Sequence, residues 1–331
     1  MDIRNRRALK QAAAESLSAA PNQKQIIALY AGGILLTTLA VALLDYLLSG
    51  MIAKTSGLSN IGTRTILQTI QTVLPIIQMV TLLFLDYGYI GLILGISQNR
   101  VVDHREITSG FRIMGPIARL TVLQYGITFL LTFASIYSCI MIFMVSPFAA
   151  PLTDALMPLV ENTAMTPAEM AMDPTVIAAM ASITVPMLIM LLIIYCLLVV
   201  PVLYLFRMAP YCLLEDPKAG ALAALRKSRA MMRRNRWNLL KLDISLWWYY
   251  ALSFIPMALC YGDVLLPMFG IALPISTTAA YFLFYGLYII TQFLYCYFFQ
   301  NSVEVTYAKA YDALKPKPQP GGVVLGNIFQ M

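Results

Sequence analysis

Few residues of this chain are equipped for chemistry, and the sharpest of them stands in an unfavourable place. Asp86 lies near the middle of the apolar run Val73 to Ile96, where an ionised carboxylate costs about 2.5–3.5 kcal/mol even on the milder insertion scale. On a helix, Gln71, Gln78 and Tyr89 share roughly its side. The next apolar run carries Gln124, Thr128, Thr132, Ser135 and Cys139, at spacings of four, four, three and four. Two polar stripes on neighbouring helices have the composition of an ion or solute path. They equally have the composition of interhelical hydrogen bonds, worth about 0.6 kcal/mol each in such surroundings.

Other chemistry finds little footing. The only histidine, His104, sits in Val101-Val-Asp-His-Arg-Glu-Ile107 on a basic loop without a triad or metal partner in view. There is no HExxH, no Cys/His metal spacing and no phosphate-binding glycine loop. Asp86 lacks a second mid-run acid of the kind an intramembrane aspartyl protease would need. The five cysteines fall in or beside apolar runs and read as packing residues. The expectation is no enzyme, no catalytic residue, no metal and no cofactor.

The elements that must carry these residues are apolar helices. Hydrophobic residues make up 60% and charged residues 12% of the 331, against roughly a quarter charged in a soluble domain. The apolar residues gather into runs at 26–48, 73–96, 117–144, 176–206, 242–261 and 279–299, and about 20 helical residues suffice to cross a hydrocarbon core. The expected fold is therefore all-α and polytopic, with about six transmembrane helices. The first run follows a polar stretch and lacks a signal-peptide cleavage pattern, so it reads as a retained helix. Segment 264–275, with Pro267 and Pro274, is too short to span and reads as an interfacial or re-entrant piece.

Lys and Arg divide between alternate segments as 21 against 2, which by the positive-inside rule puts both termini in the cytoplasm of a multi-pass cell-membrane protein. The organisation expected is an amphipathic arm at 1–25, one helical transmembrane domain at 26–300 and a tail at 301–331 disordered after about 312. The external loop 145–175 carries acids, five prolines and a capping box at Thr166-Pro-Ala-Glu169, and reads as an ordered cap. The fourth run is long enough to need bends, with Pro186 and Pro201 at the expected places.

Loop 207–241 is strongly basic. Behind Asp216-Pro217, Ala221, Leu225, Ser228, Met232 and Leu239 fall on one helical stripe and Arg226, Arg229, Arg233, Arg234 and Arg236 on the other side, with Trp237 at the re-entry point. This predicts an in-plane helix at the inner headgroups, its cations drawn to anionic lipid. The arm repeats the pattern, with Leu9, Ala13 and Leu17 opposite Arg4, Arg6, Arg7 and Lys10. Topological anchoring alone also accounts for both segments. Gly91-Leu-Ile-Leu-Gly95, preceded by Gly88, is a small-residue face for close helix approach, within the chain or with a partner.

Three stretches, Arg7-Ala-Leu-Lys-Gln-Ala-Ala-Ala-Glu-Ser-Leu17, Tyr204 through Leu214-Glu-Asp-Pro-Lys-Ala-Gly to Ser228, and Met232-Arg-Arg-Asn-Arg-Trp237 to Ser245, together resemble an uncharacterised family of bacterial integral membrane proteins, the domain of unknown function numbered 975. Where the family pattern usually has Gly, this chain has Arg234. The resemblance implies a bacterial cytoplasmic membrane and a shared in-plane helix, without an established reaction. The function expected is association with membrane lipids, through anionic headgroups of the inner leaflet, or with a membrane-protein partner or second copy. A small-solute or ion transporter using Asp86 and the polar stripes is the alternative. Nucleic acid is not expected, since no aromatic interleaving or base-reading motif accompanies the basic residues.

Overall fold

The computed structural model describes residues 3–55, 61–150, 174–268 and 276–315, with Asp154 and Met157 besides. All regular secondary structure among these residues is helical. The expected external capping box, the distal part of segment 264–275 and the chain beyond Lys315 lie outside the described residues.

Among the described residues, five stretches are long and apolar enough to cross a membrane: Gln23–Lys54, Ile61–Ser97, Met114–Met144, Ser182–Glu215 and Ala279–Leu314. Their outward faces are apolar, with Leu36, Phe129 and Leu197 all exposed, an arrangement that water would penalise.

The chain forms two compact units, one drawn from Met1–Ile117, Met208–Lys227 and Trp237–Met331, the other from Ala118–Arg207 and Ser228–Arg236. In the first unit, α1 (Arg6–Ala19) begins where the Asn5 side chain accepts from the Ala8 amide at 3.1 Å, satisfying an orphan donor of the first turn. Its buried face is Leu9, Ala13, Ser16 and Leu17, a helical stripe. That face packs against α13 (Asn301–Leu314) and against α3 (Ile61–Ser97). The arm's apolar side is thus covered by protein, where the sequence suggested a headgroup surface. The antiparallel partner of α3 is α2 (Gln23–Lys54).

Residues 301–314, expected as the start of a tail, are a buried helix. Val303, Val305, Ala308, Ala310 and Tyr311 are all at most 1% exposed. The short period of Ala and Val among Tyr and charged residues does not look like a span, yet it fills a protein interior. A π-helical turn, Cys296–Gln300, joins α13 to α12 (Thr277–Tyr295), which packs on α10 (Trp247–Cys260).

The run at 242–261 is not one helix. It divides at Leu246 between α9 (Arg236–Ser245) and α10. The Ser245 hydroxyl donates to the Leu242 carbonyl at 2.7 Å and the Lys10 ammonium takes the Ser245 carbonyl at 2.8 Å, so the carbonyl that would continue the ladder has another donor. At 14 residues, α10 extends about 21 Å, and α11 (Gly262–Met268) follows it.

In the second unit α4 (Met114–Met144) lies with α5 (Pro174–Leu198) and α6 (Val200–Phe206). The helix breaks at Val199 just before Pro201, which has no N–H and crowds the preceding turn. Pro186, the other expected bend, stays inside α5. Phe143, Ala149 and Ile183 form a small buried cluster at the far end of α4.

The glycine face of α3 is used within the chain. A Cβ on Gly88 would collide with the Ile107 carbonyl, and one on Gly110 with the Phe84 carbonyl, so the backbone of 107–110 crosses α3 at closest approach. Gly95 lies against the Val102 side chain, whereas Gly91 has nothing nearer than 3.9 Å. Gly88→Ala should therefore lower stability by about 1–3 kcal/mol, the usual cost of forcing an atom into a packed interior, while Gly91→Ala should be close to neutral. Thermal unfolding of the two variants in detergent tests the contrast; equal midpoints would show that the crossing relaxes freely.

Candidate functional site

Three polar rungs tie α2 to α3. The Gln71 amide donates to Asp45 at 2.8 Å and to Ser49 at 3.0 Å, that of Gln78 to Thr38 at 3.3 Å, and the Tyr30 hydroxyl to Asp86 at 2.6 Å. The spacing of seven and eight residues on α3 is mirrored in reverse on α2, as two antiparallel helices facing each other along one seam require. Polar groups inside an apolar bundle need such partners, because an unmet one costs several kcal/mol.

The lowest rung is the richest. Gln300, on the π-helical turn, donates to the Tyr30 hydroxyl at 3.2 Å. The Tyr30 and Tyr89 rings stack at 4.0 Å, and the Tyr89 hydroxyl donates to Asn301 at 3.0 Å. Asp86 and Tyr89, singled out in sequence, are therefore brought together by Tyr30, Gln300 and Asn301. A cavity of about 10 Å³, room for about one water molecule, lies close by between α2 and α12, with Thr38, Gln292 and Cys296 among its walls.

The second stripe belongs to the other unit and is the inward side of α4. Gln124 donates to the Phe206 carbonyl at 3.1 Å, supplying the donor that Pro210, four residues on, lacks. Thr128 and Ser135 bond carbonyls of their own helix, and the Cys139 thiol faces the Met187 carbonyl at 3.7 Å. Thr132 is half-buried beside them.

Around α13 lies a third set that sequence reasoning did not assemble. Glu215, ending α7 (Ala209–Glu215), pairs with Lys227 at 3.0 Å and Lys315 at 2.6 Å and accepts from Tyr311 at 2.6 Å. Asp312 pairs with Lys315 at 3.0 Å and accepts from Ser97 at the end of α3. Burial works against the Lys315 charge, but the Glu215 and Asp312 carboxylates outweigh it and hold that ammonium above its usual range. Tyr307 donates to Asp243 and meets the Tyr250 hydroxyl, while Tyr211 stacks on Tyr311 at 5.4 Å. The missed signal was the tyrosine spacing of four, Tyr307 and Tyr311, on one face of a helix.

In the basic loop, Asp216 caps a short turn, Pro217–Ala219, by accepting from the Ala219 amide at 3.3 Å. Gly220, at φ +82°, then turns the chain into α8 (Gly220–Met232). The expected stripe is buried at every position: Ala221, Leu225, Ser228, Met232 and Leu239. The Ser228 hydroxyl donates to the Leu205 carbonyl at 2.8 Å. The stripe is thus spent on protein and not on lipid. Arg226, Arg229, Arg233 and Arg234 are exposed, Arg236 is half-buried, and Trp237 is 74% exposed.

The model of the family described as Protein of unknown function (DUF975) matches residues 5–304. The chain belongs to that family. The DUF975 match runs from the cap of α1 to the first turn of α13 and so takes in the rungs, the basic loop and the α9–α10 junction. No curated protein and no solved structure matches the chain. His104 meets its neighbour Asp103, at 3.1 Å on the surface, and among the described residues no group of three or more His, Cys, Asp or Glu is placed to hold a metal ion.

The Tyr30 hydroxyl donates a hydrogen bond to Asp86 while accepting one from Gln300, so its loss strands two groups at once. Tyr30→Phe should cost about 1–3 kcal/mol. Asp86→Asn keeps an acceptor oxygen for Tyr30 and should cost less than Tyr30→Phe. Denaturation midpoints of the two purified variants check the order; the reverse order would mean that the charge on Asp86, and not its hydrogen bond, is what the fold uses.

Proposed function

We propose that this DUF975 protein is a non-enzymatic, multi-pass protein of the cytoplasmic membrane, with six crossings and both termini inside, that acts by association with the anionic inner leaflet. The observation that carries this reading is the division of labour in the basic loop. Its apolar stripe is buried in the protein, and its arginines stand outward, followed in the chain by an exposed Trp237. A cation near an anionic surface contributes about 1 kcal/mol, and an indole suits the headgroup depth. With α9, α10 and α11 counted together as one interrupted passage, the crossing number becomes even, in keeping with the charge division between alternate segments.

Transport through Asp86 has weaker support. Each polar group of the α2–α3 seam is engaged by a neighbour, as expected for hydrogen bonds that fasten helices.

Fluorescence of Trp237 in proteoliposomes tests the proposal, in a Trp247→Phe/Trp248→Phe background that leaves it the sole indole. Brominated phosphatidylglycerol should quench it more than brominated phosphatidylcholine. The Arg229→Glu/Arg233→Glu/Arg234→Glu variant should lose that preference, and Asp86→Asn should keep it. Equal quenching by both lipids, with ion or solute flux abolished by Asp86→Asn, would replace association by transport.

A further inference from the structure

The cations of the N-terminal arm sit at one end of a groove whose other end presents a mostly apolar surface. The first part, about 540 Å³, is lined by Arg4, Arg6, Arg7 and Lys10 together with Ser245. The second, about 400 Å³, has Ala14, Leu17, Leu246 and Trp248 in its wall together with Ser18, Gln23, Ser302 and Thr306, and Lys10 borders both. These volumes lie within the range of about 300–1,000 Å³ usual for small-molecule sites. Two of the cations are positioned by the α9–α10 break: Arg6 donates to the Lys241 carbonyl at 3.3 Å and Lys10 to that of Ser245. Burial first, and then the neighbouring Arg6 charge, push the Lys10 ammonium below its ordinary value, and an anion placed beside it would favour the charged form again. The indole of Trp248 is held edge-on against Phe299 at 5.6 Å, giving the apolar part a fixed wall.

We infer that this groove is a binding site for a single anionic phospholipid, with the phosphate among Arg4, Arg7 and Lys10 and an acyl chain along Leu17, Leu246 and Trp248. Charge complementarity selects the headgroup, and the adjoining apolar wall selects a lipid over a free anion. Every contributing segment belongs to the side that the charge division places in the cytoplasm, so the ligand comes from the inner leaflet. The inference rests on the membrane reading proposed above but on different residues.

Native mass spectrometry of the full-length, delipidated protein in detergent, titrated with phosphatidylglycerol or phosphatidylcholine, tests it. One phosphatidylglycerol should bind per chain, about tenfold more tightly than phosphatidylcholine. Arg4→Gln/Arg7→Gln should remove that preference. Ala14→Trp, at an exposed position of α1 on the groove wall, should weaken both lipids, and the triple loop variant Arg229→Glu/Arg233→Glu/Arg234→Glu should leave the bound lipid in place. Binding unaffected by the arm and groove variants overturns the site, as does displacement of the lipid by inorganic phosphate with Ala14→Trp silent, which would reduce it to an anion site. Carbonate-washed flotation separates the two readings: a protein that washes off liposomes refutes the membrane assignment, whereas one that floats but holds no single lipid refutes only the groove.

Discussion

Burial of α13 is the interaction on which the first unit depends. A helix carrying Glu304, Lys309 and Asp312 enters an interior only if its charges find partners there, as they do in Tyr211, the Ser97 carbonyl and Lys315, and if small side chains let its neighbours approach. Here Ala308 and Ala310 let neighbours approach, and Tyr307 and Tyr311 pass their hydroxyls to Asp243 and Glu215. Each neighbour is thereby committed: α1 lays its only apolar face on α13, α3 ends with Ser97 against Asp312, and α7 ends with Glu215 beside Lys315. Many of these bonds are charge-assisted and partly buried, the setting in which loss of one partner costs more than the pair contributes.

The same principle explains the placement of the other polar groups. Where the surroundings are apolar, side chains that would be solvated elsewhere turn inward to one another, and the outward surface is left to Leu, Ile and Phe. The rungs between α2 and α3, the Gln124 amide on the Phe206 carbonyl and the Ser228 hydroxyl on the Leu205 carbonyl are all repairs of this kind. A carboxylate such as Asp86 is tolerable in that setting because tyrosine and glutamine reach it or its partner.

Much of this was legible in the residues alone. Long apolar runs, the inward stripe of α8 and the closeness permitted by Gly88 each follow from one local period or one small side chain. The features that escaped reading needed partners distant in sequence. Tyr30 looks like any interfacial tyrosine until α2 lies antiparallel to α3, and the Tyr307 hydroxyl that Asp243 accepts comes from 64 positions away. The covering of the arm and of α8 escaped for a related reason: an amphipathic stripe states that a face must be buried, not what buries it. The run at 242–261 misled because hydropathy averages over a break that one serine and one lysine create.

The π-helical turn at Cys296–Gln300 has a bearing on how such a chain can vary. Each residue added to a helix rotates the rest of the rod by about 100°, and a π turn absorbs one extra residue without interrupting it. Here it works as a phase shifter: it offsets α13 against α12, so that α12 packs on α10 while Asn301, Tyr307 and Tyr311 meet their partners. One residue more or fewer at the turn would rotate α13 by about 100° against α12 and carry all three side chains away from their partners together.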